Sequence, residues 1–513
     1  MKSGRGGARL EAVTVALTVA LLAAGGARAD ADLTPTPLNA TPGASTGGST
    51  SGDFVEQPVN SATSASQSAP GGPAIDPFAF LKNVQRDSAF FGDLWGLRPA
   101  LAKFGTTLTI QDQDEALGNL TGGTQRTAVY EGLTTATLQT DTQRAFGLYG
   151  GLFNASALQI RGGNLSTQAL DSLQTASGIE ADRATRLWEL WYQQKFNDRF
   201  DVKIGQQSID QEFMVTQNGG YFVNTMFGWP MLPSADMPGG GPAYPLSALG
   251  VRARVHFGDQ YTLLVGVFNG QPAPSAVGDA QRSNPNGVSF PLGQGALAIA
   301  ELQYAYPGNN TLVKAGAADP LSRTYRIGFW YDTEKFADLQ YDNTGQSLAS
   351  PTSTGIARTH SGDYAFYAVA DQMIWRDQDP GHNLNLFVRP MFTPLEDRNL
   401  IDFSLNAGLT VHQPLPDRGD DVFGLGMGYT HVSASASAYD KAYAVYNPGQ
   451  FWPTRSGETF LEATYQYQAT AWLQIQPDAQ FVFNPGGGLA DPNSPTRKIG
   501  DELVAGVRVN AQF

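Results

Sequence analysis

The amino-acid sequence predicts an all-β fold: a sixteen-stranded antiparallel β-barrel that crosses an outer membrane and carries infolded extracellular loops. Three observations lead to this prediction. The last residues alternate apolar and polar side chains up to a terminal aromatic, and most of the chain divides into similar alternating segments. The connections between those segments also alternate between short and long, which is typical of bacterial outer-membrane barrels.

The C-terminal segment 501–513, DELVAGVRVNAQF, gives the clearest pattern. A strand has a side-chain period of two, so its odd-numbered residues, all apolar from Leu503 to Phe513, share one face. The other face is polar except for Val504 and Gly506. A chain that ends on such a strand with a C-terminal phenylalanine is typical of an outer-membrane barrel, which closes by pairing its last strand with its first.

The N-terminus indicates export. Three basic residues precede the apolar run 12–24, and Ala27 and Ala29 are small residues before a cleavage point at Asp30, so residues 1–29 are predicted to be a signal peptide. That run has about 13 residues, whereas a spanning helix needs ~20. No later window of the sequence is long and apolar enough to be a spanning helix. Only a closed barrel could then cross a membrane, since every backbone polar group must be paired there.

The composition suits this architecture. Residues 30–77 are rich in Ser, Thr, Pro and Gly and are predicted to be a disordered periplasmic linker. Residues 78–100 are predicted to form a short helix or plug segment, and residues 101–513 the barrel. The whole chain has 58 Gly and 28 Phe, no Cys, and only 16% charged residues, against about 25% in ordinary globular domains. Its net charge of -14 argues against nucleic acid as a partner.

Sixteen segments have strand periodicity. Two connections break the alternation of short and long: 307–322 is too long and 394–399 too short, so eighteen strands stays an alternative. The predicted strands lie near residues 101–111, 128–140, 144–158, 185–197, 199–208, 248–257, 260–269, 295–306, 323–333, 363–376, 383–393, 399–413, 421–433, 457–468, 471–484 and 500–513.

Several blocks of the sequence resemble one family. The most specific is 476–487, QPDAQFVFNPGG, and a second is 327–332, IGFWYD. Others are 364–376, 386–409 and the C-terminal GVR at 506–508. Over roughly residues 90–513 the chain resembles the carbohydrate-selective porins of the OprB type.

This resemblance implies passive diffusion of mono- and small oligosaccharides through a barrel narrowed by infolded loops and lined with arginines. It also implies outer-membrane lipids and the barrel-assembly machinery as partners, with Phe513 as the assembly signal. The chain could be a monomer or a homotrimer. No cofactor and no catalytic residue are expected.

The loop 209–247 is the first candidate for a constriction, because it is long and interleaves aromatics with prolines and glycines. Phe227, Trp229 and Tyr244 are its candidate pore-lining aromatics. The alternative is that they form a small core of the loop itself or join the aromatic girdle of the membrane.

Arginines supply the other candidates. Alternation places Arg252, Arg254, Arg326 and Arg389 in the lumen, where guanidinium groups could donate hydrogen bonds to sugar hydroxyls. The alternative is that they pair with wall carboxylates in a structural network. Arg183 and Arg186 lie at the end of the second long loop, residues 159–185, and are also candidates. The wall carboxylates in question are Glu301, Asp402, Glu458 and Glu462.

Three other functions compete with sugar transport. The same arginines would suit a porin for organic acids or other small anions. A barrel enzyme would need Ser and His together near the outer rim, and the sequence shows no such pairing. A plugged structural or adhesion barrel is the third. The five histidines show no metal-ligand spacing, so no metal is expected.

Overall fold

The computed structural model describes residues 88–274, 279–308, 320–379 and 381–513. Sixteen strands form one closed antiparallel barrel, in which each wall strand pairs with the wall strands before and after it and the last closes against the first. The predicted fold and strand number are confirmed. The wall consists of β1 Thr106–Thr121, β2 Ala128–Asp141, β3 Gly151–Gly162, β4 Ala184–Asn197, β5 Phe200–Gln207, β6 Ala248–Phe257, β7 Tyr261–Asn269, β8 Ala296–Tyr306, β9 Arg323–Asp342, β10 Ala357–Arg376, β11 Asn383–Phe392, β12 Ile401–His412, β13 Val422–Val432, β14 Gly457–Thr470, β15 Leu473–Phe483 and β18 Glu502–Gln512.

The remaining elements lie in the connections. A small separate sheet, β16 Ala490–Asp491 with β17 Ser494–Lys498, precedes the last wall strand. Within the described ranges, no helix has the length and apolar character needed to span a membrane. The helices are α1 Leu97–Ala102, α2 Thr142–Phe146, α3 Thr225–Gly228, α4 Met231–Asp236, α5 Ala280–Ser283 and α6 Ala434–Tyr446, with single helical turns at Ser166–Leu170, Ile209–Gln211, Asn218–Tyr221, Pro238–Gly240 and Pro485–Gly487.

The C-terminal strand has the two faces that its sequence predicts. Val504 and Arg508 face the lumen and are buried. The apolar residues alternating with them face outward, as on the other strands, where Ile327 is 61% exposed. Strand β18 pairs with β1 from Gln111 opposite Gln512 to Thr121 opposite Leu503. The wall therefore has no unpaired edge at its seam.

Residues 88–105 lie against the end of the chain. The Phe90 N–H donates to the Gln512 carbonyl at 2.7 Å, and the Phe90 and Phe91 rings lie 5.8 and 5.4 Å from the Phe513 ring. Arg98 donates to the Phe513 carbonyl oxygen. The terminal aromatic predicted as an assembly signal is thus covered by the N-terminal segment in the folded barrel.

Two predicted strands begin too early, and the first also ends at Thr121 and not at residue 111. The first strand begins at Thr106 and not at residue 101, because helix α1 and a turn at Gly105, with φ of 63°, precede it. The third begins at Gly151 and not at residue 144, because Asp141 accepts N–H groups of Gln143 and Arg144 and starts helix α2.

Strands β9 and β10 also run much farther than predicted, at 20 residues each, so most of the expected loop 334–362 is a two-stranded arm. The expectations for residues 1–87 and for the segment 311–317 lie outside the described residues.

Candidate functional site: an infolded loop in the barrel lumen

The connection between β5 and β6, residues 208–247, turns into the barrel, and we refer to it as the infolded loop. Its apolar side chains do not face solvent: Phe213 and Phe227 are each 1% exposed, Phe222 is 4% and Trp229 is 6%. They form one cluster with inward-facing wall residues, including Phe387 and Phe460. The loop is therefore a packed part of the lumen and not a solvated tip.

At the centre of this cluster, aromatic rings pack against glycines of the barrel wall. The Phe227 ring lies 4.3 Å from that of Phe222, 5.6 Å from Phe387 and 5.3 Å from Phe460. Strand β13 has glycine at three successive inward positions, and a Cβ at Gly426 would lie 2.5 Å from the Phe227 ring. Because no side chain fills that space, the loop can approach the wall closely.

Arg389, which is 0% exposed, directs its guanidinium at the backbone of the infolded loop. It donates to the carbonyls of Met214 at 2.7 Å, Phe227 at 2.8 Å and Gly228 at 3.2 Å. Since buried carbonyls need donors, this arginine fastens the centre of the loop to strand β11.

Wall carboxylates hold the loop's N–H groups. Glu301 accepts from the Met214 N–H at 2.8 Å, and Glu462 accepts from the Val223 and Asn224 N–H groups at 2.6 and 3.0 Å. Buried N–H groups need acceptors, so these carboxyl groups fix the loop against the wall. The second long loop is held in the same way, because Glu458 accepts from its Leu173 and Gln174 N–H groups at 2.7 and 2.8 Å. Glu458 also accepts from the N–H of Gly486, in the connection after β15, at 2.7 Å.

An ionic cluster secures the start of the infolded loop. Arg252 contacts Glu212 at 2.5 Å and also pairs with Asp201. Lys203 reaches Glu212 at 2.8 Å, and Arg254 reaches Asp201 at 2.7 Å. Burial alone would raise the pKa of the Glu212 carboxyl, but the charges of Arg252, Lys203 and Arg254 outweigh it and lower that pKa below its ordinary value.

Near the other end of the loop lies a buried carboxyl that has no cationic partner among the described residues. Asp236 accepts from the Leu400 and Ile401 N–H groups at 2.9 and 3.3 Å. Burial raises the pKa of Asp236 well above its ordinary value, and the nearby Asp363 adds to the shift although the two N–H groups oppose it.

The structure gives the remaining predicted residues different surroundings. Arg326 is buried and contacts Asp371 at 3.0 Å and Glu301 at 3.8 Å. The Trp229 indole donates to the Gly240 carbonyl at 2.9 Å. The Tyr244 hydroxyl donates to the Ile179 carbonyl at 2.8 Å and so links the infolded loop to the second long loop.

Arg183 and Arg186 are close in sequence but differ in exposure. Arg183 is exposed and donates to the Gly162 carbonyl. Arg186 is 2% exposed, and one of its nitrogens lies 3.5 Å from the Pro245 carbonyl.

A cavity of about 470 Å³ opens at the short-turn rim, beneath the turn Asn218–Tyr221 of the infolded loop. Its lining is mostly polar and uncharged, with amide side chains from strands β11, β14 and β15. Elsewhere in the described parts of the chain, no cluster of three or more His, Asp or Glu side chains is arranged to hold a metal ion.

A closed sixteen-stranded barrel with a loop folded into its lumen is the architecture of an outer-membrane porin. The chain belongs to the carbohydrate-selective porins of the OprB family, because the sequence model of that family matches residues 125–513. It is therefore a channel protein of a sugar-transporting family and not an enzyme.

Individual relatives agree with this assignment. Porin B of Pseudomonas aeruginosa is 24% identical over 454 residues, covering 82% of this chain and 90% of its own. A putative porin, QuiX, of Acinetobacter baylyi is 22% identical, with 82% and 92% covered. The high-pH structure of Pseudomonas putida OprB has a TM-score of 0.71 at 24% identity and covers 84% of this chain and all of its own. That likeness concerns the fold.

Proposed function

We propose that this chain lets uncharged mono- and small oligosaccharides diffuse passively through a passage between the infolded loop and the barrel wall. The proposal rests mainly on the position of that loop. Residues 208–247 lie in the lumen and are held there by contacts with wall residues on several strands. A fixed loop sets the diameter of the passage, and diameter with the local donors and acceptors sets selectivity.

The candidate residues divide into two groups under this proposal. Arg183, Arg254 and Tyr244 keep exposed or partly exposed surface and are proposed to meet the solute. The others are buried and would shape the passage by holding loops in place. These buried candidates are Arg186, Phe227, Trp229, Arg252, Arg326 and Arg389.

Liposome swelling tests the sugar assignment. Vesicles carrying the purified protein should swell quickly in glucose, more slowly in maltose and not in a large dextran. Empty vesicles prepared in the same way are the control. Swelling in none of the small sugars would overturn the proposal.

The rival solute class is small organic anions. It gains little support from the charges, because Arg252, Arg254 and Arg326 each have an acidic partner within 3.0 Å. Paired arginines attract anions less than unpaired ones would. Faster entry of gluconate than of glucose would reverse this choice.

We also propose that residues 1–29 direct export and are removed, and that residues 30–77 form a periplasmic linker. Phe513 is proposed to be read by the barrel-assembly machinery before the N-terminal segment covers it. Removing Phe513 should reduce the number of inserted barrels more than the sugar flux through each. Equal losses in both would contradict an assembly role.

A further inference from the structure

We propose that the cavity at the short-turn rim is a second sugar-binding site, which uncharged sugars occupy after they pass the infolded loop. This inference rests on the proposed sugar transport and adds a site to it. The cavity measures about 470 Å³, within the range of about 300 to 1,000 Å³ that is usual for small-molecule sites.

The chemistry of the lining matches a polyol. Each amide side chain has both a carbonyl acceptor and an NH₂ donor, and each sugar hydroxyl can both donate and accept. Strands β11, β14 and β15 contribute five amides, and Tyr221 adds an aromatic ring. The five amides are Asn383, Asn385, Gln466, Gln468 and Gln474.

These amides are held in place before any solute arrives. The Asn385 amide donates to Asn383 Oδ1 at 2.7 Å. The Gln474 amide donates to Gln466 Oε1 at 3.1 Å and its own oxygen accepts from Asn510 at 2.7 Å. Because their positions are already fixed, binding a sugar would require little further ordering.

The infolded loop forms one wall of the cavity. The Gln466 and Gln476 amides donate to the Tyr221 carbonyl at 3.3 and 2.9 Å, and the Tyr221 ring lies edge-to-face on His412 at 5.0 Å. Of the charged lining residues, Asp371 is paired with Arg326 at 3.0 Å, and Arg323 and Asp420 carry opposite charges. The same loop would therefore narrow the passage on one side and complete a largely neutral site on the other.

Sugar block of single channels in planar bilayers tests this site. Glucose should reduce the ion current of the wild type in a saturable manner. Asn385→Leu and Gln474→Leu should each raise the half-blocking glucose concentration roughly fivefold, since each removes about one hydrogen bond. Gln139→Leu is the matched control, because Gln139 is an amide on β2 that bonds Asn154 at 3.3 Å and does not line the cavity.

The outcomes separate the two proposals. If glucose blocks the wild type and both leucine variants within twofold of each other, the second site is wrong and sugar transport stands. If glucose neither enters liposomes nor blocks the wild type, both proposals fail. Gln474→Met keeps the length of the side chain without its amide, and it replaces Gln474→Leu should that variant not insert. An unchanged half-blocking concentration in Gln474→Met also overturns the site.

Discussion

The start and the centre of the infolded loop are held by different physics. At the start, Glu212 pairs with Arg252 and Lys203 in an ionic cluster. At the centre, the Phe227 ring packs among other aromatic rings and against the glycines of β13. Arg389 donates hydrogen bonds to the backbone carbonyls of the loop there. The first contact is made by charges that have alternative partners, whereas the second depends on the close fit of the rings and on hydrogen bonds from one guanidinium.

This difference predicts that contacts at the centre determine whether the loop stays folded into the lumen, and that contacts at the start determine the selectivity of the passage. Losing one member of a cluster with several cations leaves each carboxylate a second partner, because Arg254 also reaches Asp201. Losing a ring from a close-packed cluster leaves a cavity that the neighbours only partly fill. We therefore expect the centre to decide whether the loop is seated, and the start to adjust the charge and width of the passage.

The largest effect should follow Phe227→Ala. Truncating a buried phenylalanine to alanine costs about 3–5 kcal/mol of stability. In this barrel the loss would weaken the packing of the infolded loop against the wall. We expect a several-fold larger single-channel conductance and rapid cleavage of residues 208–247 by added protease. Phe423→Ala, on the outward face of β13 where Phe423 is 38% exposed, is the control and should leave both unchanged. Wild-type conductance in Phe227→Ala would show that the centre does not hold the loop.

The sequence predicted the wall well because its period of two is local information. Leu249 to Phe257 and Ile401 to His412 alternate so regularly that their lumen faces follow from sequence alone. The loop contacts could not be predicted in this way, since Glu462 and Arg389 are far from the infolded loop in sequence. Of the wall carboxylates expected to pair with lumen arginines, Glu301 lies 3.8 Å from Arg326, whereas Glu458 and Glu462 accept backbone N–H groups.

The sequence nonetheless contains one indication of where the infolded loop contacts the wall. Gly424, Gly426 and Gly428 alternate on the inward face of β13, which is unusual for a strand that has side chains to pack. Such a stripe predicts that something approaches the wall closely there. It does not tell which of the long loops does so.

A smaller effect is expected at the start of the loop, in Arg252→Met. Asp201 keeps Arg254 and Glu212 keeps Lys203, so the loss should be about 1–3 kcal/mol. Ion selectivity should shift toward cations, because one positive charge leaves the lumen, and reversal potentials in a salt gradient measure this. Arg252→Lys should restore most of the wild-type value. A conductance increase as large as that of Phe227→Ala would remove the distinction between start and centre.

Arg254→Gln should have a still smaller effect on stability, about 1 kcal/mol or less, because this side chain is partly exposed and Asp201 keeps Arg252. Selectivity should nevertheless move in the same direction as in Arg252→Met. The temperature at which the folded barrel is lost on a denaturing gel measures the first effect, and the reversal potential the second. An unchanged reversal potential would mean that Arg254 does not face the ion path.

The smallest effect, and the one that distinguishes the two ends of the loop, is their response to pH. The pKa of Asp236 is raised, so its favourable contribution is complete below its ordinary pKa and is lost as pH rises through the raised value. The pKa of Glu212 is lowered, so its contribution is present above its ordinary pKa and is lost only in strong acid. Protease cleavage near residue 236 should therefore quicken as the pH rises above the ordinary pKa of an aspartate, while cleavage near residue 212 should not. Asp236→Asn removes the titrating group and should abolish the trend, and a trend that persists in this variant would assign it to another group.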